Sequence, residues 1–420
     1  PNFAQAVKAI VTGNPDELRI ILSEDPSLVS ARSQADHKAT LLHYITANAI
    51  EDELQLSPLQ IYRRITKGNP DERQKLKQDV LEVTRLLLDT GAEVDAIAEA
   101  YGGGPPQTPL NWLVSSGHPA EAGMLAELTE LLCHRGANPD GLQGNSTPMI
   151  TALGFGHSQA IPPLVAAGAL IDNLLLAAAA GDLDQVMEFR RGEGFLTGNV
   201  ERCASSWFQP PENARQVAEL ALVFASMCGQ LEVIRYLVES GVDINAVPPG
   251  TFMTAGALHT AGVACQLDAV ELLIELGADP TIVEPRYQGN AADWAEHGGC
   301  RKIIRLVRQY LPEYLRKRDR GTPATQAFRE AISSGEVSKL QEVISTHDLT
   351  AEQLNGPWFD FDSPAVVQVK TKLDMVDCLL EAGADVNQKS LWWAGGFGVL
   401  DETEEALAED LLARGAKLDV

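Results

Sequence analysis

Rings are scarce in this chain: 6% of its 420 residues are aromatic, so small apolar side chains such as Ala and Leu must carry the packing. No uninterrupted apolar stretch approaches the roughly 18 residues that a membrane-spanning helix needs. Basic residues are also outnumbered, 33 Lys and Arg against 58 Asp and Glu, for a net charge of −25. Such a surface repels phosphate backbones and anionic lipid, which argues against nucleic acid or membrane as a primary partner. The plain reading of the acid excess is a solubilising exterior, with attraction of a basic partner as the functional alternative.

Catalytic signatures are missing too. There is no HExxH, GxSxG or SxxK. The glycine run Gly102-Gly103-Gly104-Pro105-Pro106 has neither the spacing nor the lysine of a phosphate loop. Six cysteines (Cys133, Cys203, Cys228, Cys265, Cys300 and Cys378) are scattered without CxxC spacing, five of them within or beside apolar helical segments. They read as buried thiols, with neither a disulfide framework nor a zinc site. The cluster Asp401-Glu402-Thr403-Glu404-Glu405 opens a helix, where acidic residues favour the positive dipole end. The expectation is no catalytic residue, no metal and no cofactor. No signal peptide is visible and the expected location is cytoplasmic, although the chain begins at Pro1 without methionine, as a chain shorn of a leader would.

What the chain does have is one recurring phrase: an apolar helix end, Gly-Ala or Gly-Val, an acidic or amide residue, an apolar residue or proline, then Asp or Asn. It runs Gly91-Ala92-Glu93-Val94-Asp95, Gly136-Ala137-Asn138-Pro139-Asp140 and Gly168-Ala169-Leu170-Ile171-Asp172. It returns at Gly241-Val242-Asp243-Ile244-Asn245, Gly277-Ala278-Asp279-Pro280, Gly383-Ala384-Asp385-Val386-Asn387 and Gly415-Ala416-Lys417-Leu418-Asp419. The phrase is a helix stop: glycine takes the left-handed conformation, and the following apolar residue packs back on the last turn. Helix starts lie ahead of several stops, with a capping hydroxyl before proline at Thr108-Pro109-Leu110-Asn111 and Thr147-Pro148-Met149-Ile150. Thr40-Leu41-Leu42-His43 and Gly256-Ala257-Leu258-His259 are looser versions. Two apolar-faced helices fill the interval, as in Ala221 to Cys228 and Leu231 to Glu239 around the Gly229-Gln230 turn.

The T-P-L-H-x-A start, helix pair and G-A-D-x-N exit resemble the ankyrin repeat, whose period is 33, and the chain looks like the divergent ankyrin-repeat proteins common in bacteria. The resemblance implies an all-α ankyrin-repeat solenoid of about ten or eleven helix–turn–helix units with a few long inter-repeat insertions. It also implies that His43 and His259 are structural, each bonding to the turn of a neighbouring unit. The expected organisation is N-terminal repeats over residues 1–190 with an insertion at 51–78, and an irregular insertion at 191–216. Central repeats at 217–311 and C-terminal repeats at 312–420 follow, with the last unit stopping where another helix would begin, as if the natural chain continued.

Interruptions of the repeat are where function is sought. Residues 51–78 contain Ile61-Tyr62-Arg63-Arg64 and read either as a lengthened, solvated helix pair or as a partner-specific protrusion. Residues 192–216 contain Trp207-Phe208. Residues 354–364 alternate aromatics with acid, Trp358-Phe359-Asp360-Phe361-Asp362. They are either an extended binding finger or a plug between neighbouring repeats. Trp392 and Trp393 stand where the next unit should start, and Trp112 holds a similar place in its own repeat. Tyr101, Trp112, Trp358, Phe359, Asp360, Phe361, Asp362, Trp392 and Trp393 form the expected partner-binding set. The favoured reading is a non-enzymatic protein–protein interaction scaffold using the concave face and the aromatic fingers, its oligomeric state undefined. The alternatives are a small-ligand or catalytic groove at the same aromatic and acidic segments, and a purely structural array inside a longer polypeptide.

Overall fold

A computed structural model describes residues 2–35, 37–46, 59–99, 106–142, 144, 147–204, 208–250, 254–285, 289–311, 323–356, 358–359, 363–390, 397–401, 403 and 405–417. The chain is mostly helical and divides into two compact units, Pro1–Leu311 and Pro312–Val420. In the first, helix pairs follow one another, beginning with Asn2–Thr12 and Pro15–Glu24 and ending with Ala291–His297 and Arg301–Tyr310. The second holds the pairs Pro323–Ser334 with Val337–His347 and Ala365–Gln368 with Leu373–Glu381, then the helix Glu405–Ala413.

The exit phrase folds as its residues dictate. After Pro70–Asp89, Gly91 stands at φ +101. Its N–H donates to Leu88 O (3.1 Å) and the Ala92 N–H donates to Leu87 O (3.0 Å). Those two bonds satisfy carbonyls that the helix end would otherwise leave open. The other six glycines of the phrase lie between φ +88 and +100. Next, the acidic residue caps its own turn: Asp243 accepts from the Asn245 N–H (3.0 Å) and Asp385 from the Asn387 N–H (2.9 Å). The final Asp or Asn then reaches the neighbouring unit. Asp95 accepts from the Asn138 N–H (3.1 Å), Asp140 from Leu170 (2.9 Å), Asn245 from Asp279 (2.8 Å) and Asn387 from Lys417 (2.8 Å). One side chain per unit therefore sets the register of the next turn.

A second set of contacts ties the turns between paired helices. Gly181 and Gly229 take left-handed φ values of +78 and +72, and a Cβ on either would collide with the amide of Gln230 or Gln266. Those glutamines donate to Ala179 O (3.0 Å) and Met227 O (3.2 Å). At the next such turn the glycine is replaced by Cys265, at φ +58, whose sulfur is bonded to Cys300 across a Cα–Cα distance of 5.4 Å. The reading of all six cysteines as unpaired thiols is corrected here. The partners are 35 residues apart and meet because equivalent turns stack, a relation that cysteine spacing does not reveal.

The segment around Ile61-Tyr62 is helical and packed. Leu59–Lys67 turns Ile61 and Tyr62 inward, Ile61 covers Gly13, and the Tyr62 hydroxyl donates to Ile45 O (2.5 Å). Burial raises the pKa of that phenol. Leu59–Lys67 pairs with the helix Pro70–Asp89.

Candidate binding surface

The histidines of two helix starts take structural positions. His43 is fully buried; its Nδ1 accepts from the Thr40 N–H (3.2 Å), and its Nε2 lies 3.3 Å from Gln107 O, at the start of the next unit. Burial lowers its pKa to about 4, leaving the ring neutral as an acceptor–donor bridge. His259 places Nε2 3.1 Å from Ile282 O, again in the neighbouring unit's approach.

Trp112 joins this clasp. It is only 4% exposed, and its ring meets His43 edge-on at 5.0 Å and His37 at 6.0 Å. Trp294 repeats the arrangement on His259 at 5.8 Å. Trp112 stands four residues after Thr108 and Trp294 four after Asn290, each one turn into a first helix that packs on the preceding histidine. The expectation of Trp112 as a groove residue is therefore corrected: its ring is core. The pairing of a helix-start tryptophan with the preceding unit's histidine was the available signal.

Trp358 and Phe359 are half-buried and pack against the core of the second unit, which includes Phe328, Leu340, Met375, Leu379 and Leu411. The Trp358 ring folds over Gly356, and its indole N–H donates to Gln353 O (2.6 Å). The Phe359 N–H donates to Ser363 O (3.3 Å) in a short antiparallel bridge. Just before it, Asn355 accepts from the Asp385 N–H (2.8 Å), so the aromatic segment begins on a register residue of the exit-turn kind. Sequence reading missed this because Asn355 is not preceded by the glycine phrase. Tyr101, Asp360, Phe361, Asp362, Trp392 and Trp393 lie outside the described residues. Tyr101 and Trp112 belong to the first unit and the other seven to the second.

Another surface comes from the interruption at 192–216. Where a following exit turn would meet Asp172, the inserted chain does so instead. The bridge Asn173↔Gly198 aligns it, and Arg202 grips the Asp172 carboxylate through Nη2 (2.7 Å) and Nε (3.1 Å). Arg202 also donates to Gly144 O (2.6 Å) and Leu170 O (3.0 Å). Burial opposes the charge on Asp172, yet the bonds from Arg202 and Asn199 outweigh it and hold the pKa below the ordinary value. Alongside runs the hairpin Arg190–Arg191 with Gly194–Phe195. It borders an open recess of 440 Å³ lined by Asp172, Gln185, Glu188, Phe189, Arg191 and Leu196. Leu196, in its lining, is 49% exposed, and Leu170, two residues before Asp172, is 50% exposed, apolar surface left in water.

Charge is distributed unevenly. Helix Arg301–Tyr310 exposes Arg301, Lys302, Arg305 and Arg308 on one face, within a chain of net charge −25. A windowed charge count would have found that face. Among the described residues no group of His, Cys, Asp and Glu could hold a metal ion, and no helix is long and apolar enough to cross a membrane.

Helices paired through αL turns and keyed by a side chain per unit define a helical repeat protein. By comparison, residues 174–284 match the family model for ankyrin repeats in three copies. No curated protein matches the chain. The crystal structure of the human ASB11 ankyrin repeat domain is similar to it at 15% identity, with TM-score 0.30, over 72% of this chain and 96% of that one. Ankyrin repeats imply a protein–protein interaction domain and are generally binding scaffolds without catalysis of their own.

Proposed function

We propose that the chain is a non-enzymatic scaffold that takes a protein partner on the concave face of its repeats, with residues 354–364 and 391–398 as aromatic anchors. The observation that carries this reading is the placement of Trp358 and Phe359, fixed on one side by core and open on the other. A ring held in that way loses little freedom on binding, which makes it an economical anchor. The acidic exterior would steer a basic partner, away from the basic face of Arg301–Tyr310. The proposed setting is the cytoplasm.

The test is recovery of partners from lysate by the full chain and by the Phe361→Ala/Trp392→Ala variant, with melting curves to verify folding. Loss of the recovered proteins by a folded variant supports the reading. Unchanged recovery removes the aromatic segments from it. A second location has one observation in its favour, the exposed Leu196 in the lining of the recess beside Asp172, with Leu170 exposed two residues before that carboxylate. A Leu170→Asp/Leu196→Asp variant that alone abolishes recovery would move the partner there. The small-ligand or catalytic groove rests on Trp358-Phe359-Asp360-Phe361-Asp362 and Trp392-Trp393, of which Asp360, Phe361, Asp362, Trp392 and Trp393 lie outside the described residues.

A further inference from the structure

We propose that Cys265 and Cys300 form a reversible redox staple between adjacent repeats, opened by thiol–disulfide exchange at Cys265 with a small thiol or dithiol as co-reactant. Three features of this junction carry the inference, and the first is register. At two successive turns a glycine in the left-handed region is covered by the glutamine that opens the next second helix. That glutamine donates to the carbonyl two residues before the glycine, as Gln230 does to Ala179 O and Gln266 to Met227 O. Cys300 opens its helix at φ −89 and ψ 69, close to the φ −84 and ψ 77 of Gln230 and Gln266. Its sulfur lies 3.9 Å from Val263 O, again two residues before the turn position. The pair therefore occupies the site of a hydrogen-bonded clip and replaces it with a covalent one.

Conformation is the second feature. Cys265 holds φ +58 where the equivalent turns use glycine, a backbone region that disfavours a residue with a Cβ. A side chain tolerated there is supported by its bond to the next unit. Access is the third. Cys265 is exposed while Cys300 is 7% exposed, so a thiolate reaches the sulfur of Cys265 and Cys300 is the leaving group.

Attack of a thiolate RS⁻ on the Cys265 sulfur breaks the bond to Cys300, whose thiolate takes a proton from solvent. A second thiol attacks the mixed disulfide, giving RS–SR and the Cys265 thiol. Two electrons pass from the two external thiols to the staple. The remaining cysteines stay apart from this chemistry: burial raises the thiols of Cys133 and Cys203 to about 11 and that of Cys228 to about 12, and Cys378 is buried. In a reducing cytoplasm the pair would rest open and close on oxidation. Closing ties the turn of Ala257–Val263 and Leu267–Glu275 to the start of Arg301–Tyr310, the helix that bears the exposed basic face.

Non-reducing peptide mapping of the air-oxidised full chain should recover a Cys265–Cys300 linked peptide that dithiothreitol dissolves. Hydrogen exchange at residues 264–267 and 298–302 should accelerate on reduction by on the order of a hundredfold, with little change at the Gly181 and Gly229 turns. The Cys265→Gly/Cys300→Gln variant rebuilds the glycine–glutamine clip of the neighbouring turns. It should fold and show no response to dithiothreitol at those residues. Free thiols at both positions in oxidised, folded protein would overturn the proposal. So would equal exchange in oxidised and reduced wild type, or a reductant response retained by the variant.

Discussion

Residues 214–311 and residues 323–417 solve the same packing problem with different materials. In the first stretch the inner helix Ala214–Cys228 buries eleven of its fifteen residues, from Val217 to Met227, and the turns are clipped by the Gln266 amide and by the Cys265–Cys300 disulfide. In the second, the inner helix Ala365–Gln368 is a single turn of four residues, too short to cover its neighbours. Trp358, Phe359 and Phe397 fill in from the connections, and the turn clip is Lys372, whose ammonium donates to Gly335 O (3.3 Å). Aromatics in a connection thus compensate for helix that the sequence does not supply, and in doing so they become half-buried.

The largest difference should appear on acidification. The folded pKa of His43 is about 4, against about 6.5 for an ordinary histidine. The unfolded chain therefore binds the extra proton between those values. Stability from this ring is complete above about pH 6.5 and falls as pH drops towards 4, by about 2 kcal/mol at pH 5. His157 and His259 are shifted down by burial and act in the same direction. In the second unit the one histidine, His347, is exposed at a helix end. Urea titrations of the full chain at pH 7 and pH 5, read by peptide-resolved hydrogen exchange, should show loss concentrated in residues 2–311. Equal loss over 323–417 would break the comparison.

Trp358→Ala should cost about 2–3 kcal/mol, read over residues 323–417 in the same experiment, because it empties a half-filled place in the core. Trp358→Phe keeps most of the packing and removes the donor to Gln353 O, so about 1 kcal/mol is expected. A Trp358→Ala change that leaves those residues' protection intact would return the side chain to a purely surface role.

Much of this was legible. The glycine stops and the Thr108 cap follow from local chemistry, because each partner is within a turn; the histidine bridges were expected only from the ankyrin resemblance. The rest depends on stacking between units. Cys265 looks like any cysteine until its turn is seen to sit beneath the residue that opens the helix two turns on. Trp112 and Trp358 are both tryptophans near an interruption, yet one lies in the first turn of a helix packed on the preceding unit's histidines and the other on a connection beside a single-turn helix. Asn355 keeps the register without the phrase that advertises it, since only its side-chain amide is needed for the contact.

The interruption offers a change of intermediate size. Arg202→Ala leaves the Asp172 carboxylate and the carbonyls of Gly144 and Leu170 without their shared donor. Both ionic side chains are 18–19% exposed, so water relieves part of the penalty and about 1–2 kcal/mol is expected at pH 7. The Asp172 pKa is depressed in the fold. The wild-type advantage should be complete above the ordinary carboxylate range and fade as pH falls through the depressed value. A variant difference that grew on acidification would contradict the pairing.

The smallest effects are the most discriminating, because they separate two register residues that look identical in sequence. Asn245 is half-buried and is used as an acceptor from the Asp279 N–H. Asp95 and Asp140 make the same contact with a carboxylate, so Asn245→Asp should be nearly silent while Asn245→Ala costs about 1 kcal/mol. Asn387 is exposed, accepts from the Lys417 N–H and also donates through Nδ2 to Gly415 O (3.1 Å). There, Asp would keep the acceptor but set a carboxylate oxygen against a carbonyl. Asn387→Asp should therefore cost as much as Asn387→Ala, about 0.5 kcal/mol given the exposure. Chemical unfolding of the four variants reads both pairs. If Asp is equally tolerated at 245 and 387, the donor to Gly415 does not contribute, and the two exit turns are held by one bond each.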